Sequence, residues 1–83
     1  MRVLVILRPK EGVTLDQFVP LLEAEEKVLW KYLSEGHVRS ISYAQDIPGT
    51  IVLDFESEDA SQAERLASDF PLVQAGLFDT EVI

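Results

Sequence analysis

Two consecutive glutamates, Glu25 and Glu26, stand where the first predicted helix should present an apolar side chain to the core. Projected at about 100° per residue from Leu22, Glu25 falls at about −60° and Glu26 at about +40°, beside the apolar stripe. At least one of the two carboxylates must therefore lie close to the buried side of the helix. Burial raises the pKa of a carboxyl group, which suits it to proton transfer near neutral pH.

The same two glutamates also have an interpretation without chemistry. Acidic side chains beside a helix seam commonly reach solvent and pair with a nearby cation, and the sequence offers Lys27, Arg2 and Arg8 for this. The sequence leaves open which interpretation holds, and which of the two glutamates faces the buried side.

Five other residues have side chains that could hold a ligand near this acid pair. Arg39 and His37 lie at the start of the second predicted strand, and either could orient a substrate carboxylate. Asp54 alternates with apolar residues, so it faces either a cavity on the open side of the sheet or its rim. Trp30 and Tyr43 are either aromatic contacts for a ligand or part of the core or an interface. The arginine could equally pair with an acid of a partner chain, and the histidine could simply be exposed.

Composition excludes several classes of function. Acidic residues number 15 and basic residues 7, so the net charge of −8 repels phosphate backbones and anionic lipid. We therefore expect neither a nucleic-acid nor a membrane partner. The sequence has no cysteine and no HExxH, glycine-rich phosphate-loop or EF-hand pattern, so we expect no metal and no cofactor. No small-residue cleavage site follows the first strand, which predicts a cytoplasmic protein.

The order of the hydrophobic patterns predicts the fold. Apolar runs predict four strands, and helical periodicity predicts two helices that begin at Thr14 and Ser57, with a kink or restart at Pro20. The predicted ranges are strand 3–7, helix 15–33, strand 38–44, a turn at 46–49, strand 50–56, helix 58–68 and strand 77–83. This β-α-β-β-α-β order predicts one α+β domain over residues 1–83, a ferredoxin-like sandwich with a four-stranded antiparallel sheet and both helices on one face.

The face of the sheet opposite the helices needs a cover. Leu4 and Ile6 of the first strand and Val52 of the third point to that face. Apolar surface left in water costs roughly 25 cal/mol per Å², and large exposed apolar patches usually mark an interface. We therefore expect a homodimer in which a second copy covers this face and closes a barrel.

Several short segments resemble the muconolactone isomerase-like proteins of the dimeric α+β barrel superfamily. The similar segments, in chain order, are EK at 26–27, YLSEG at 32–36, DFESED at 54–59, FPL at 70–72 and DTEV at 79–82. Asp69, Pro71 and the segment VQAGL at 73–77 also resemble the ending of the YCII-like branch of that superfamily. The resemblance covers nearly the whole chain.

This resemblance implies a cofactor-free isomerase or lyase that acts on a small organic acid or lactone in the cleft between sheet and helices. It also implies that dimers can assemble into larger rings, and that the acid of the first helix is Glu26 or Glu25. Two other functions fit the same sequence. One is a module that holds a small ligand without chemistry, and the other is a subunit of a homo-oligomeric assembly.

Overall fold

The structure, a computed structural model, describes residues 1–45 and 47–83. Four strands and two longer helices follow one another in the predicted order, joined by short helical turns. The strands are β1 (Arg2–Pro9), β2 (Val38–Tyr43), β3 (Ile51–Glu56) and β4 (Phe78–Val82). The helices are α1 (Leu22–Glu35), α2 (Ala60–Ala67) and the short α3 (Pro71–Gln74). Of the predicted turn at 46–49, Asp46 lies outside the described residues.

The four strands form one antiparallel sheet in the order β2-β3-β1-β4. The two central strands, β1 and β3, pair with each other although α1 and β2 lie between them in the chain, as the ferredoxin-like topology requires. A register shift between Val38 and Ser40 leaves Arg39 as an extra residue in β2. The predicted α+β ferredoxin-like fold is confirmed.

The alternation of side chains along β1 and β3 separates the two faces of the sheet. Val5 and Leu7 of β1 are fully buried under the helices, and Phe55 of β3 is buried beside them. Leu4, by contrast, is 40% exposed on the other face, where it lies opposite Asp54 in the register. We call this second surface, formed by Leu4, Ile6, Val52 and Asp54 with their neighbours, the open face.

The first helix is shorter than predicted. Residues 15–21 form two 3₁₀ turns, Leu15–Gln17 and Val19–Leu21, and the α-helix begins only at Leu22. Pro20 has no backbone N–H to donate, so a regular α-helix cannot run through this segment, and the predicted restart falls just after it. The side chain of Gln17 accepts the N–H of Thr14 at 2.8 Å, as the predicted capping box requires, but it closes a 3₁₀ turn.

The second helix begins later than predicted, and a third helix follows it. Asp59 caps α2, because its carboxylate accepts the N–H of Gln62 at 2.8 Å, whereas Ser57 donates its hydroxyl to the carbonyl of Asp59. The predicted cap at Ser57 is therefore wrong by two residues. Pro71 starts α3, since its missing N–H is no loss in a first helical turn. No helix within residues 1–45 and 47–83 is long and apolar enough to cross a membrane.

Candidate functional site

A cavity of about 180 Å³ lies between α1 and the helix-covered face of the sheet. Its wall is mostly aliphatic and aromatic, with two carboxylates and one phenol. The lining residues are Leu7, Phe18, Leu22, Glu25, Glu26, Leu29, Ile41, Tyr43, Gly49, Ile51, Leu53, Phe70 and Leu72. An apolar cavity of about 150 Å³ is large enough to bind benzene, so this one has room for a single small ring.

The carboxylate of Glu25 is held in the wall of this cavity by the polypeptide backbone. Its Oε1 accepts the N–H of Leu72 at 2.9 Å. Leu72 lies in the first turn of α3, where helical N–H groups have no partner within the helix and favour an acidic side chain. The bond fixes one oxygen of Glu25 and ties α1 to α3.

Glu25 is half-buried, and desolvation raises its pKa above the ordinary value of 4.5. The hydrogen bond from Leu72 acts in the opposite direction, because it stabilises the charged form. A carboxyl group whose pKa is raised in this way can both accept and return a proton under mild conditions. Of the two glutamates that the sequence could not separate, Glu25 is the one turned inward.

Glu26 also lines the cavity, but its side chain is exposed. It lies one residue further along α1, at the mouth instead of the interior. The three cations that could have neutralised the acid pair contact other acids. Arg2 pairs with Asp54, Arg8 with Glu81 at 2.7 Å, and Lys27 with Glu23 at 3.7 Å.

Tyr43 is the one residue of the five predicted ligand-binding positions that lines this cavity. Tyr43 is 69% exposed at the end of β2, so it contributes to the mouth of the cavity, as the exposed Glu26 does. Trp30 is 68% exposed on α1 and does not line the cavity.

His37 and Arg39 also lie outside the cavity wall. The imidazole Nε2 of His37 is 3.7 Å from the carboxylate of Glu35. The centroid of its ring lies 5.8 Å from that of Tyr32, in an edge-on arrangement. Arg39 is exposed at the irregularity of β2. Their predicted role in orienting a substrate carboxylate stays a prediction, and the chain does not bring them to Glu25.

Asp54 belongs to the open face, on the opposite side of the sheet from the cavity. Only 6% of Asp54 is exposed, and both of its oxygens accept from the guanidinium of Arg2 across the β1–β3 pair. A bidentate pair of this kind satisfies a carboxylate that is otherwise cut off from water. The pleat of β3 places Asp54 on the open side of the sheet, as the sequence predicts, and its role in holding a ligand stays a prediction.

The first helix makes a second polar contact, with the segment between α2 and α3, that was not predicted. The hydroxyl of Tyr32 donates to Oδ2 of Asp69 at 2.7 Å, and burial raises the pKa of this tyrosine. Tyr32 lies seven residues after Glu25, two turns further along the same face of α1. Phe70 packs edge-on against Tyr32, with 5.6 Å between the ring centroids, and it also lines the cavity. The two contacts therefore fix the 69–72 segment to α1 at both ends.

We expect replacement of Glu25 with glutamine to stabilise the fold at neutral pH. The folded-state pKa of Glu25 is raised, so its charged form destabilises the folded state above that pKa and has no effect below the unfolded pKa. Glutamine keeps the acceptor for Leu72 without the charge. The melting temperature of Glu25→Gln should exceed that of the wild type at pH 7 by about 2–6 °C. The difference should vanish as the pH falls to about 4.

Differential scanning calorimetry between pH 4 and pH 8 measures this effect, and Glu26→Gln is the matched control. Because the Glu26 side chain is exposed, its removal should leave the melting temperature almost unchanged. An equal rise for both variants would assign the effect to the overall negative charge.

The fold and the cavity together define a ferredoxin-like α+β protein with an internal carboxylate. No family model and no curated protein sequence matches this chain. Among solved structures it is similar to 5-chloro-2-hydroxyhydroquinone dehydrochlorinase (TftG) from Burkholderia phenoliruptrix AC1100, in complex with 2,5-dihydroxybenzoquinone. That match covers 100% of this chain and 91% of the other, with a TM-score of 0.80 and 17% sequence identity.

A second similar structure is protein Atu4242 from Agrobacterium tumefaciens. It matches 99% of this chain and 89% of its own, with a TM-score of 0.51 and 16% identity. Likeness at this level of identity concerns the fold, and it confirms the α+β architecture that the resemblance implied.

Proposed function

We propose that the protein binds a small cyclic compound in the cavity and that Glu25 transfers a proton to and from it, in an isomerisation or elimination. The observation that carries this proposal is the position of Glu25. It is the half-buried titratable group in an apolar wall, anchored through one oxygen and directed at a space of about 180 Å³.

A β,γ-unsaturated lactone illustrates the chemistry that such a carboxylate can perform. Ionised Glu25 removes a proton from the carbon next to the carbonyl, and the electron pair delocalises over the carbonyl and the double bond. The protonated carboxyl then returns the proton to the γ-carbon, which leaves the double bond conjugated with the carbonyl. One proton moves between two carbons, so atoms and electrons balance within the substrate and Glu25.

Tyr43 supplies the second group that this reaction needs. Negative charge develops on the carbonyl oxygen when the α-proton leaves, and a hydrogen-bond donor at that oxygen stabilises it. Among the described lining residues, Tyr43 is the one whose side chain carries a neutral hydrogen-bond donor.

The comparison with TftG supports a ligand of this size. Its name describes a dehydrochlorinase that acts on a chlorinated hydroxyhydroquinone, and its structure holds 2,5-dihydroxybenzoquinone, a single ring. The resemblance to muconolactone isomerase-like proteins supports proton transfer in a small ring without a redox step. Neither likeness specifies the substrate of this chain.

Isomerisation of α-angelica lactone, an uncharged β,γ-unsaturated lactone, tests the proposal. The protein should accelerate formation of the conjugated isomer above the buffer-catalysed rate. In D₂O its product should retain more protium at the γ-carbon than the product formed in buffer, because Glu25 returns the proton that it removed. Ultraviolet absorbance measures the rate of isomerisation, and proton NMR measures the isotope content of the γ-carbon. A rate equal to that of buffer, at protein concentrations that bind the lactone, would leave only a binding function.

That binding function is the second candidate, and one observation favours it. Apart from Glu25, the titratable side chains in the described cavity wall, Glu26 and Tyr43, are exposed at its mouth. A module that holds a small apolar ring without chemistry needs only this wall and one hydrogen-bonding group.

We also propose that the protein is a homodimer formed through the open face. Leu4 is 40% exposed there and Ile6 and Val52 are only half-buried, so the apolar strip continues across the two central strands. A chain of 83 residues has a small core, and burying this strip adds stability that the core alone can hardly supply. Dimers of this kind could associate further.

Replacing Val52 with lysine should disrupt that dimer. Val52 lies between Ile6 and Ser42 in the register, at the centre of the open face. An ammonium group placed in an apolar interface without a partner should weaken association at least about 100-fold. Sedimentation velocity at micromolar concentration measures the change, and Glu64→Lys on α2 is the matched control. A wild-type protein that is already monomeric would remove this proposal.

A further inference from the structure

The charged groups around the cavity are all of one sign within the described part of the chain. Glu25 and Glu26 line it, whereas no lysine, arginine or histidine among residues 1–45 and 47–83 does. The net charge of the whole chain, −8, adds to the same negative potential.

The seven lysines and arginines of the sequence all belong to the described part of the chain, and none of them lines the cavity. Arg2 and Arg8 are engaged by acids on β3 and β4, and Lys27 by Glu23 on the outer side of α1. Arg39 lies at the irregular end of β2, and the remaining cations are Lys10, Lys31 and Arg65. A negatively charged ligand in the cavity would therefore meet two carboxylates and no compensating charge.

The depth of the two carboxylates gives them different effects on a ligand. Glu25 is half-buried and has one oxygen occupied by the Leu72 N–H, so its free oxygen suits a hydrogen-bond donor or an acidic C–H of the ligand. Glu26 is exposed at the mouth, where it can act on any ligand that enters without being part of the apolar wall. Its influence is Coulombic and depends on salt.

We infer that the cavity selects an uncharged ring compound over a carboxylate of the same shape, and that Glu26 is the residue at the mouth that sets this selection. The inference rests on the proposed function, because it takes the cavity to be the ligand site. It departs from the expectation of a small organic acid as the substrate. A lactone, phenol or quinone without an ionised carboxyl group fits the wall, whereas a free acid requires a cation that the cavity does not hold.

Benzamide and benzoate test this inference, because the two molecules have nearly the same shape and differ by one negative charge. In low-salt buffer at pH 7, benzamide should bind to the wild-type protein at least about tenfold more tightly than benzoate. Glu26→Gln should reduce that ratio by about threefold to tenfold, mainly by strengthening benzoate binding. Added salt should reduce the ratio in the wild type and have less effect in the variant.

Chemical-shift titration of the full chain gives both dissociation constants at residue resolution. Glu64→Gln on α2 removes one carboxylate remote from the cavity and controls for net charge. Equal affinities, or tighter binding of benzoate, would overturn the charge selection while leaving proton transfer by Glu25 intact. A ratio that neither Glu26→Gln nor salt changes would assign the preference to hydrogen bonding or shape and overturn the role of Glu26. If neither ring shifts the resonances of the cavity residues, this inference and the proposed function both fail.

Discussion

Replacing Glu25 with glutamine should lower kcat/KM for α-angelica lactone isomerisation by about 10²–10⁴-fold, the range expected when a general acid–base group is lost. Glutamine retains the hydrogen bond to the Leu72 N–H, so the wall of the cavity keeps its shape. The substrate should therefore still bind, and the loss should fall on kcat while KM changes little.

Two glutamates provide controls for this experiment. Glu26→Gln should retain kcat, because an exposed carboxylate at the mouth does not exchange a proton with the substrate, and Glu64→Gln should retain both constants. The wild-type rate should fall as the pH is lowered through the pKa of Glu25, which burial places above 4.5. A Glu25→Gln enzyme with unchanged kcat would assign proton transfer to solvent or to another residue.

Replacing Phe70 with alanine should have the largest effect on stability. Phe70 is 2% exposed, packs edge-on against Tyr32 and contributes to the wall of the cavity. Truncation of a buried phenylalanine costs about 3–5 kcal/mol, since it removes apolar contacts and leaves a void. A domain of this length has roughly 4–12 kcal/mol of total stability, so about a quarter of it or more would be lost.

Urea unfolding monitored by circular dichroism measures this loss. The protein concentration is kept fixed, because the proposed dimer would make the midpoint concentration-dependent. Phe70→Leu is the matched control and should lose less than half as much, since leucine fills most of the same space. If Phe70→Ala unfolds at the wild-type urea concentration, residues 69–72 do not form part of the cooperative core.

The sequence predicts the architecture well because the signals are local or periodic. Alternation of apolar residues along β1 and β3 correctly assigned Val5 and Leu7 to the core and Leu4 to the open face. Gly36, with φ of 81°, ends α1 where the helical pattern stops. These features depend on a few neighbouring residues, so they can be read without knowing how the chain packs.

Helix ends were less accurately predicted because competing caps decide them. Ser57 and Asp59 are both good cap residues, and the choice depends on which side chain reaches the backbone N–H of Gln62. No helix was predicted between residues 68 and 77, where the folded chain uses Pro71 to start α3.

The choice between Glu25 and Glu26 could not be made from helical periodicity. Both fall beside the apolar stripe at similar angles, and the deciding contact is the N–H of Leu72, 47 residues further along the chain. A backbone donor has no sequence signature, since every residue except proline carries one. The Tyr32–Asp69 contact is similarly remote in sequence.

The sequence by itself determined the order of the elements, the two faces of the sheet and the presence of an acid beside the apolar stripe of the first helix. Only the tertiary structure decided that Glu25 turns inward, that Asp54 pairs with Arg2, and that Arg39 and His37 stay outside the cavity. The physical reason is the distance along the chain between the residues that interact. Secondary structure and amphipathicity follow from residues a few positions apart, whereas the environment of a carboxylate depends on donors and cations that folding brings in from distant segments.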